Sequence, residues 1–345
     1  MQEEEKDVGK ESKYTQDEYS HFVDSSIKEF EVDFFITEES QRKIVQTGKN
    51  QAAKMNIMIS LALLLLIIPI LTLATYAYYA IGGEGDKLIE IADKTLYITE
   101  PNMSLEEMKI ENEFGLFSMD IHYDVFKRIG NAEYKIGNQF IHFGLDQPNF
   151  PINEFYLERP LPENPYKQEN EFLSHPNARI LPGSDWGILK GLPDGTVSEV
   201  YVSLSSLQNP EKFEETLPDY TELVWVAVDT GMEEKMIDSE GKLITPIGYP
   251  YQEDPDNWSP FNGDEVNSKQ FIEALDFLEK NEETAVKIAR AKTLCIKQRS
   301  DYIKKHGIKI YGAVVTGPTK ELRLLEKMQE VRSIKVGEVK LWNLR

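Results

Sequence analysis

A single cysteine in 345 residues, Cys295, leaves this chain without an intrachain disulfide or a thiolate-rich metal site. Basic residues are outnumbered, 38 against 59 acidic ones. The resulting charge of −21 argues against nucleic acid as a direct ligand, because phosphate binding needs clustered Lys and Arg. It argues equally against a peripheral domain held on anionic lipid. Signatures of common catalysis are missing too: there is no Gly-x-Ser-x-Gly, no His-Glu-x-x-His and no dinucleotide fingerprint. No period repeats along the chain, and no low-complexity tract exceeds its acidic start. The chain therefore reads as a non-enzyme with no cofactor. Its folded part has to be stabilised by core packing, for which a hydrophobic content of 41% is sufficient.

What the chain does have is a long run without charge, Met55 to Ala80, centred on Leu61-Ala62-Leu63-Leu64-Leu65-Leu66-Ile67-Ile68. A transmembrane helix needs about 20 mainly apolar residues, so this run spans a bilayer with some tilt. Tyr76, Tyr78 and Tyr79 at its far end form an aromatic belt, and Gly82-Gly83 end the helix. Pro69 is tolerated inside a membrane span. A cleaved signal peptide fits poorly, with 54 residues ahead of the run. Residues 41–54 contain Arg42, Lys43, Lys49 and Lys54 and no acid, whereas Glu84, Asp86, Glu90 and Asp93 follow the run. The positive-inside rule places the N-terminus in the cytoplasm and the C-terminal part outside the cell membrane, as a single-pass topology.

The chain divides accordingly. Residues 1–54 form a short helical cytoplasmic tail, of which 1–18 are polar and disordered. Phe22, Val23, Ile27 and Phe30 follow at helical spacing, then Val32, Phe34, Phe35 and Ile36. Thr37 with Glu38 and Glu39 starts the next helix, which runs into the membrane. A tail this short cannot bury the cluster Phe22, Val23, Ile27, Phe30, Phe34, Phe35 and Ile36 against itself. Asp24, Glu29, Glu31 and Asp33 among them disfavour an anionic membrane surface, which points to a protein partner.

Beyond the span, residues 81–150 form a β-rich segment with strands at Leu96-Tyr97-Ile98, Leu116 to Val125 and Gln139 to Leu145. Residues 151–190, rich in Pro and Asn, form an irregular connection. Residues 191–345 form an α+β domain. Its strands are at Val200 to Leu204, Leu223 to Val228, Ile308 to Val315 and Ile334 to Leu341. Its helices are at Pro210 to Leu217, from Asn267 or Ser268 as cap, and at Pro318 to Met328. Two strand–helix–strand units separated by a helix suit a ferredoxin-like sheet.

Candidate chemistry within these parts is thin. Gly317-Pro318-Thr319-Lys320 follows a strand and opens a helix, but it lacks P-loop spacing and reads as ordinary helix-start chemistry. Asp120, His122 and His142 on neighbouring strands are too few for a defined metal site. The acidic loop 253–265, with Asp254, Asp256, Asn257 and Asp264, departs from the EF-hand pattern and reads as solvated. Asp301 and His306 have no nucleophile beside them, and Cys295 reads as a helix packing residue.

Several blocks carry a further signal. Leu192-Pro193-Asp194-Gly195-Thr196-Val197-Ser198-Glu199-Val200-Tyr201, the stretch Ile310 to Glu321 and the ending Val336 to Asn343 resemble the sigma factor regulator family of Gram-positive bacteria. So do Pro246 to Pro250, Phe114-Gly115-Leu116-Phe117, and Ile44 through Ser60 with the Tyr-Ala-Tyr-Tyr exit of the helix. The resemblance covers most of the chain from Ile36 onward and none of the first 35 residues. It implies a membrane-anchored anti-sigma factor in transcription regulation and envelope-stress signalling. In that scheme the tail holds an extracytoplasmic-function sigma factor away from RNA polymerase, the outer domain regulates that hold, and a second membrane regulatory subunit is a further partner. The competing reading is a membrane-anchored extracellular binding module with an inert tail. An outer-surface hydrolase would need an activity that no motif announces.

Overall fold

The computed structural model describes residues 8–33, 37–106, 111–156, 172–178, 183–235, 237–254 and 259–342. The chain separates into two compact units, Met1–Ile70 and Leu71–Arg345.

The first unit is helical. Helix α1, Val8–Asp33, already runs through the polar start that composition marks as disordered; no Pro interrupts it, and Gly9 is its only glycine. Helix α2, Glu38–Tyr76, begins as expected at Thr37, whose hydroxyl lies 2.9 Å from that of Ser40. Glu38 and Glu39 occupy its first turn and pair one turn on with Arg42 (3.8 Å) and Lys43 (3.0 Å). Glu38 to Ile81 is a helix long and apolar enough to cross a membrane, and none of its apolar window is buried by protein. Pro69 sits inside it.

The second unit takes over at Leu71. A π-helical turn, Ala77–Ile81, closes on Gly82, and Gly83 adopts φ 74° before helix α3, Glu84–Thr99. Here the sequence expectation needs correction. Leu96-Tyr97-Ile98 is the end of α3 and not a strand, because buried Leu88, Ile91, Ala92, Thr95, Leu96 and Thr99 follow a helical period that outranks a three-residue apolar run.

The first sheet contains β1 (Ser104–Leu105), β2 (Glu111–Phe114), β3 (Ser118–Ile129), β4 (Ala132–Gly144), β5 (Gln147–Pro148) and β6 (Ile152–Phe155). Its order is β1-β3-β4-β5, with β2 also on β3 and β6 on β4. The strict alternation of β3 buries Met119, Ile121, Tyr123 and Val125 on one face. Helix α4, Trp186–Gly191, falls inside the segment expected to be irregular.

The second sheet is built from β7 (Thr196–Gln208), β8 (Glu222–Val228), β9 (Gly248–Pro250), β10 (Ile310–Pro318) and β11 (Val331–Leu341). Its order is β11-β7-β10-β8-β9, antiparallel throughout. The two expected strand–helix–strand units are present and interleave, with α5 (Pro210–Glu214) after β7 and α9 (Thr319–Leu322) after β10. Strand β10 is buried along its whole length. One of its faces meets the main core, and the other meets a smaller cluster of Leu173, Tyr201, Trp225, Tyr311 and Val314.

Between β8 and β10 the chain inserts α6 (Asn267–Glu279), α7 (Glu282–Ile288) and α8 (Ile296–His306). Phe271, Leu275 and Leu278 of α6 are buried as expected. Neither Asn267 nor Ser268 caps it: Val266 holds that position, and Asn267 Nδ2 donates instead to Pro250 O at 2.8 Å.

The two sheets meet at a buried ion pair. Lys127 of β3 donates to both carboxylate oxygens of Glu199 on β7, at 2.8 and 3.0 Å, and to the Tyr201 hydroxyl at 2.7 Å. Glu199 also accepts from Asn102 Nδ2 (2.8 Å) and the Glu338 backbone N–H (3.1 Å). Burial works against the Lys127 ammonium, but the Glu199 carboxylate and Tyr201 outweigh it and hold its pKa above the usual lysine range. Gly337 leaves room for the carboxylate, which a Cβ there would strike. Around this pair, Arg128 Nε binds Glu222 at 2.9 Å, Gly130 N–H donates to Thr316 Oγ1 at 2.6 Å, and Trp225 Nε1 donates to Tyr97 O at 3.1 Å.

Removing one partner strands the other charge, so Lys127→Met is expected to destabilise the protein by about 3–5 kcal/mol. Adding Glu199→Gln should recover part of that loss. Denaturation of the full chain in detergent, followed by tryptophan fluorescence, measures the cycle; additive losses would show that the two residues do not interact. The pKa of Lys127 is raised in the fold, so its contribution is complete below the ordinary lysine value of 10.5 and falls as pH rises above it. The difference between wild type and Lys127→Met should thus be flat through neutral pH and shrink in alkali.

Candidate partner-binding segment

Helix α1 carries three of the seven residues marked as a partner surface within its described side chains. Phe22 is 69% exposed and Ile27 51%, Val23 is partly exposed, and Tyr19 at 71% joins them. At 100° per residue, positions 19, 22, 23 and 27 share one side of the helix. Asp24 and Lys28 lie off that side, Glu29 borders it beside Phe22, and all three are exposed. Phe30 lies within α1, but its side chain is outside the described residues, as are Phe34, Phe35 and Ile36 entirely. The described part is thus an apolar helical face without a protein partner in its own unit, the shape that helix-in-groove recognition uses. No groups there are arranged for chemistry.

The second unit accounts for the other candidates. His142 lies opposite Asp120 in the β3–β4 register and its Nδ1 is 2.5 Å from Asp120 Oδ1, while His122 lies against the Phe140 ring at 4.8 Å. The two histidines therefore do not face each other. Among the described residues, no group of three or more His, Cys, Asp or Glu could hold a metal. In the acidic loop, Asn262 ties the Asp254 backbone at both ends, with Asp254 N–H to Asn262 Oδ1 at 2.8 Å and Asn262 Nδ2 to Asp254 O at 2.7 Å. Asp256 and Asn257 lie outside the described residues. The Thr319 hydroxyl is taken by Thr196 and Ser198, each at 2.7 Å, and Lys320 pairs with Glu321 at 3.3 Å, so Gly317 to Lys320 is a structural turn. His306 stacks on Tyr302, and Asp301 is exposed. Cys295 is not a helix packing residue: it precedes α8 with φ 51° and is partly exposed, its Sγ 3.2 Å from Thr293 Oγ1.

Two buried charge clusters escaped the sequence reading. One is the Lys127–Glu199 pair; its signal is that Lys127 occupies the apolar phase of β3, two residues past Val125 and two before Ile129. The other is Arg299, fully buried on α8, with Nη1 donating to Thr245 O at 2.8 Å and Nη2 3.8 Å from Glu233 Oε1. Nothing local in the sequence marks that arginine, because Thr245 and Glu233 are more than fifty residues away.

The N-terminal model of the sigma factor regulator family matches residues 42–134, and the C-terminal model of that family matches residues 189–338. The chain belongs to the sigma factor regulator family. This regulator is also 30% identical over 333 residues to the probable anti-sigma-M factor YhdL of Bacillus subtilis (strain 168), across 94% of its own length and 90% of the relative's. No solved structure matches it significantly. The family is one of regulatory proteins and not enzymes, in line with the absence of a catalytic motif. The first family match begins at Arg42, so the sigma factor regulator carries α1 and its apolar face ahead of the matched region.

Chelator should leave the thermal midpoint of the detergent-solubilised regulator unchanged, and His142→Ala should cost less than about 1 kcal/mol, as for a part-exposed side-chain hydrogen bond. A large drop in midpoint with chelator would mean that the histidine strands or the 253–265 loop hold a metal after all.

Proposed function

We propose that this chain is a membrane-anchored anti-sigma factor whose cytoplasmic tail sequesters an extracytoplasmic-function sigma factor, under control of the domain outside the membrane. The observation that carries this reading is near-full-length similarity to a protein named as a probable anti-sigma-M factor. The exposed face of Tyr19, Phe22, Val23 and Ile27 supports a protein partner on the tail. The basic residues Arg42, Lys43, Lys49 and Lys54 support a cytoplasmic position for that face. Phe30, Phe34, Phe35 and Ile36 extend the proposed surface toward α2.

Residues 1–54, made alone, should capture the cognate sigma factor. In the full chain, Phe22→Ala with Ile27→Ala, or Phe34→Ala with Phe35→Ala, should switch the sigma regulon on while the protein stays in the membrane at normal abundance. Truncating a buried aromatic anchor commonly costs about 2 kcal/mol or more, and every 1.4 kcal/mol is about tenfold in affinity. Quantitative immunoblotting has to accompany the reporter assay, because a degraded anti-sigma factor mimics lost binding. Full repression by both stably expressed double variants would remove these residues from the binding surface, and failure of residues 1–54 to capture a sigma factor would favour the binding-module reading.

A further inference from the structure

The end of the apolar helix is clamped to two hairpin turns whose composition is unusual. Phe114 pairs with Met119 and Gly115 N–H donates to Ser118 O at 3.0 Å, so β2 and β3 are joined by the two residues Leu116-Phe117. Gly144 pairs with Gln147, so β4 and β5 are joined by Leu145-Asp146. Phe117 has φ 58° and Leu145 φ 57°. Two-residue hairpin turns favour Gly, Asn or Asp at such positions, because a bulky side chain is strained there. Here the turns present Leu116, Phe117 and Leu145 to the outside, each between 46 and 48% exposed.

The turns lie side by side: Ser118 pairs with Gly144 across β3 and β4, and Leu145 N–H donates to Phe117 O at 3.0 Å. Both grip the helix end. Phe117 N–H donates to Thr75 Oγ1 at 3.1 Å, and the Tyr79 hydroxyl donates to Leu145 O at 2.7 Å. Phe114 meets the Tyr76 ring edge-on at 5.4 Å. Tyr79 is consequently buried and takes no part in the aromatic belt, whereas Tyr76, Tyr78 and Ile81 are exposed.

The clamp fixes the height of the turns. About 20 apolar residues cross the hydrocarbon, and twenty residues counted from Met55 end at Ala74. Thr75, the next residue, is the one that Phe117 binds. We infer that the paired turns Leu116-Phe117 and Leu145-Asp146 insert their apolar side chains into the lipid interface beside the exit of the apolar helix, and so fix how the first sheet stands on the membrane. The inference rests on the reading of that helix as a membrane span. Isolated exposed apolar residues need no explanation, but three on adjacent strained turns, tied to the end of an apolar helix, do. Exposed Glu113 and Asp146 flank them and hold the backbone at headgroup level, so that only the side-chain tips enter the acyl boundary.

The test uses the full chain with Cys295→Ser, reconstituted alone in vesicles of phosphatidylethanolamine and phosphatidylglycerol. A polarity-sensitive fluorophore is attached to one new cysteine at a time: Phe117→Cys, Leu116→Cys, Leu145→Cys, Leu63→Cys or Tyr220→Cys. Tyr220 is a fitting water reference, because Thr316, which takes the Gly130 N–H at the far end of β3, pairs with Glu222 beside it. Three turn positions guard against one variant failing to fold, which protease resistance checks. Labels at the turns should be quenched several-fold more by lipids with a nitroxide high on the acyl chain than the label at 220, and protected from aqueous iodide. Turn labels as open to iodide as position 220, with position 63 reading the hydrocarbon core, would overturn the inference and leave the span intact; a partner protein's surface would give that result. A water-exposed label at 63 would overturn both.

Discussion

Lys127 and Glu199 face each other where neither can be hydrated, at the meeting of the two sheets of the second unit. Moving either charge out of water is costly, and the attraction offsets that cost only when the remaining hydrogen-bonding capacity is used. Here Tyr201, Asn102 and the Glu338 N–H use it. The two sheets share no strand, so this contact and its neighbours, Arg128–Glu222 and Gly130–Thr316, define the register between them. Lys127 lies within the N-terminal family match and Glu199 within the C-terminal one, so the pair joins the two regions that characterise the family.

Strand β3 links this seam to the helix. Its Ser118 end carries the turn held by Thr75, and its other end carries Lys127, Arg128 and the Gly130 contact. Twelve residues in an extended strand span about 40 Å, and β4 pairs with β3 along its whole length. The ladder runs from the helix clamp to the seam, with a register shift between Val125 and Phe126. Such a strand supplies a physical connection, and regulation additionally requires an element with two arrangements for it to bias. The π-helical turn at Ala77–Ile81, between helix and sheet, and the register shift at Val125 and Phe126 are irregular backbone along that path.

Much of the architecture was legible in the sequence because its signals are local. The apolar run, the start at Thr37, the strand over Leu223 to Val228 and the apolar face of α6 each follow from spacing within one element. Where the reading failed, a distant contact or a longer period decided. Leu96-Tyr97-Ile98 looks like a strand until the period from Leu88 is counted with it. Asn267 looks like a cap until Pro250 O claims its side chain. Tyr79 looks like a belt residue until Leu145 O, 66 residues on, takes its hydroxyl. The seam was illegible because β3 and β7 are about seventy residues apart, and only the misplaced polarity of Lys127 and Glu199 within apolar strands hinted at it. For the tail, helical spacing marked the candidate surface, but no intrachain pattern records what would bind there.

Two exposed apolar surfaces in one chain call for different occupants, and charge separates them. In sequence, Asp24, Glu29, Glu31 and Asp33 stand among the apolar positions of the tail, and Glu29 borders the apolar face beside Phe22, so a helix lying flat on anionic lipid would bring like charge toward the headgroups. A protein groove can place cations opposite those acids while accepting the aromatic side chains, and complementary charge then speeds the encounter. At the paired turns the acids stand beside the apolar tips, and the backbone beneath is pinned to a residue at the end of the apolar run. That geometry keeps Glu113 and Asp146 in the hydrated layer while the tips reach inward. The exposed tail face suits a partner protein; the turns are tied to the helix end, and with that helix read as a span the surface beside them is the bilayer.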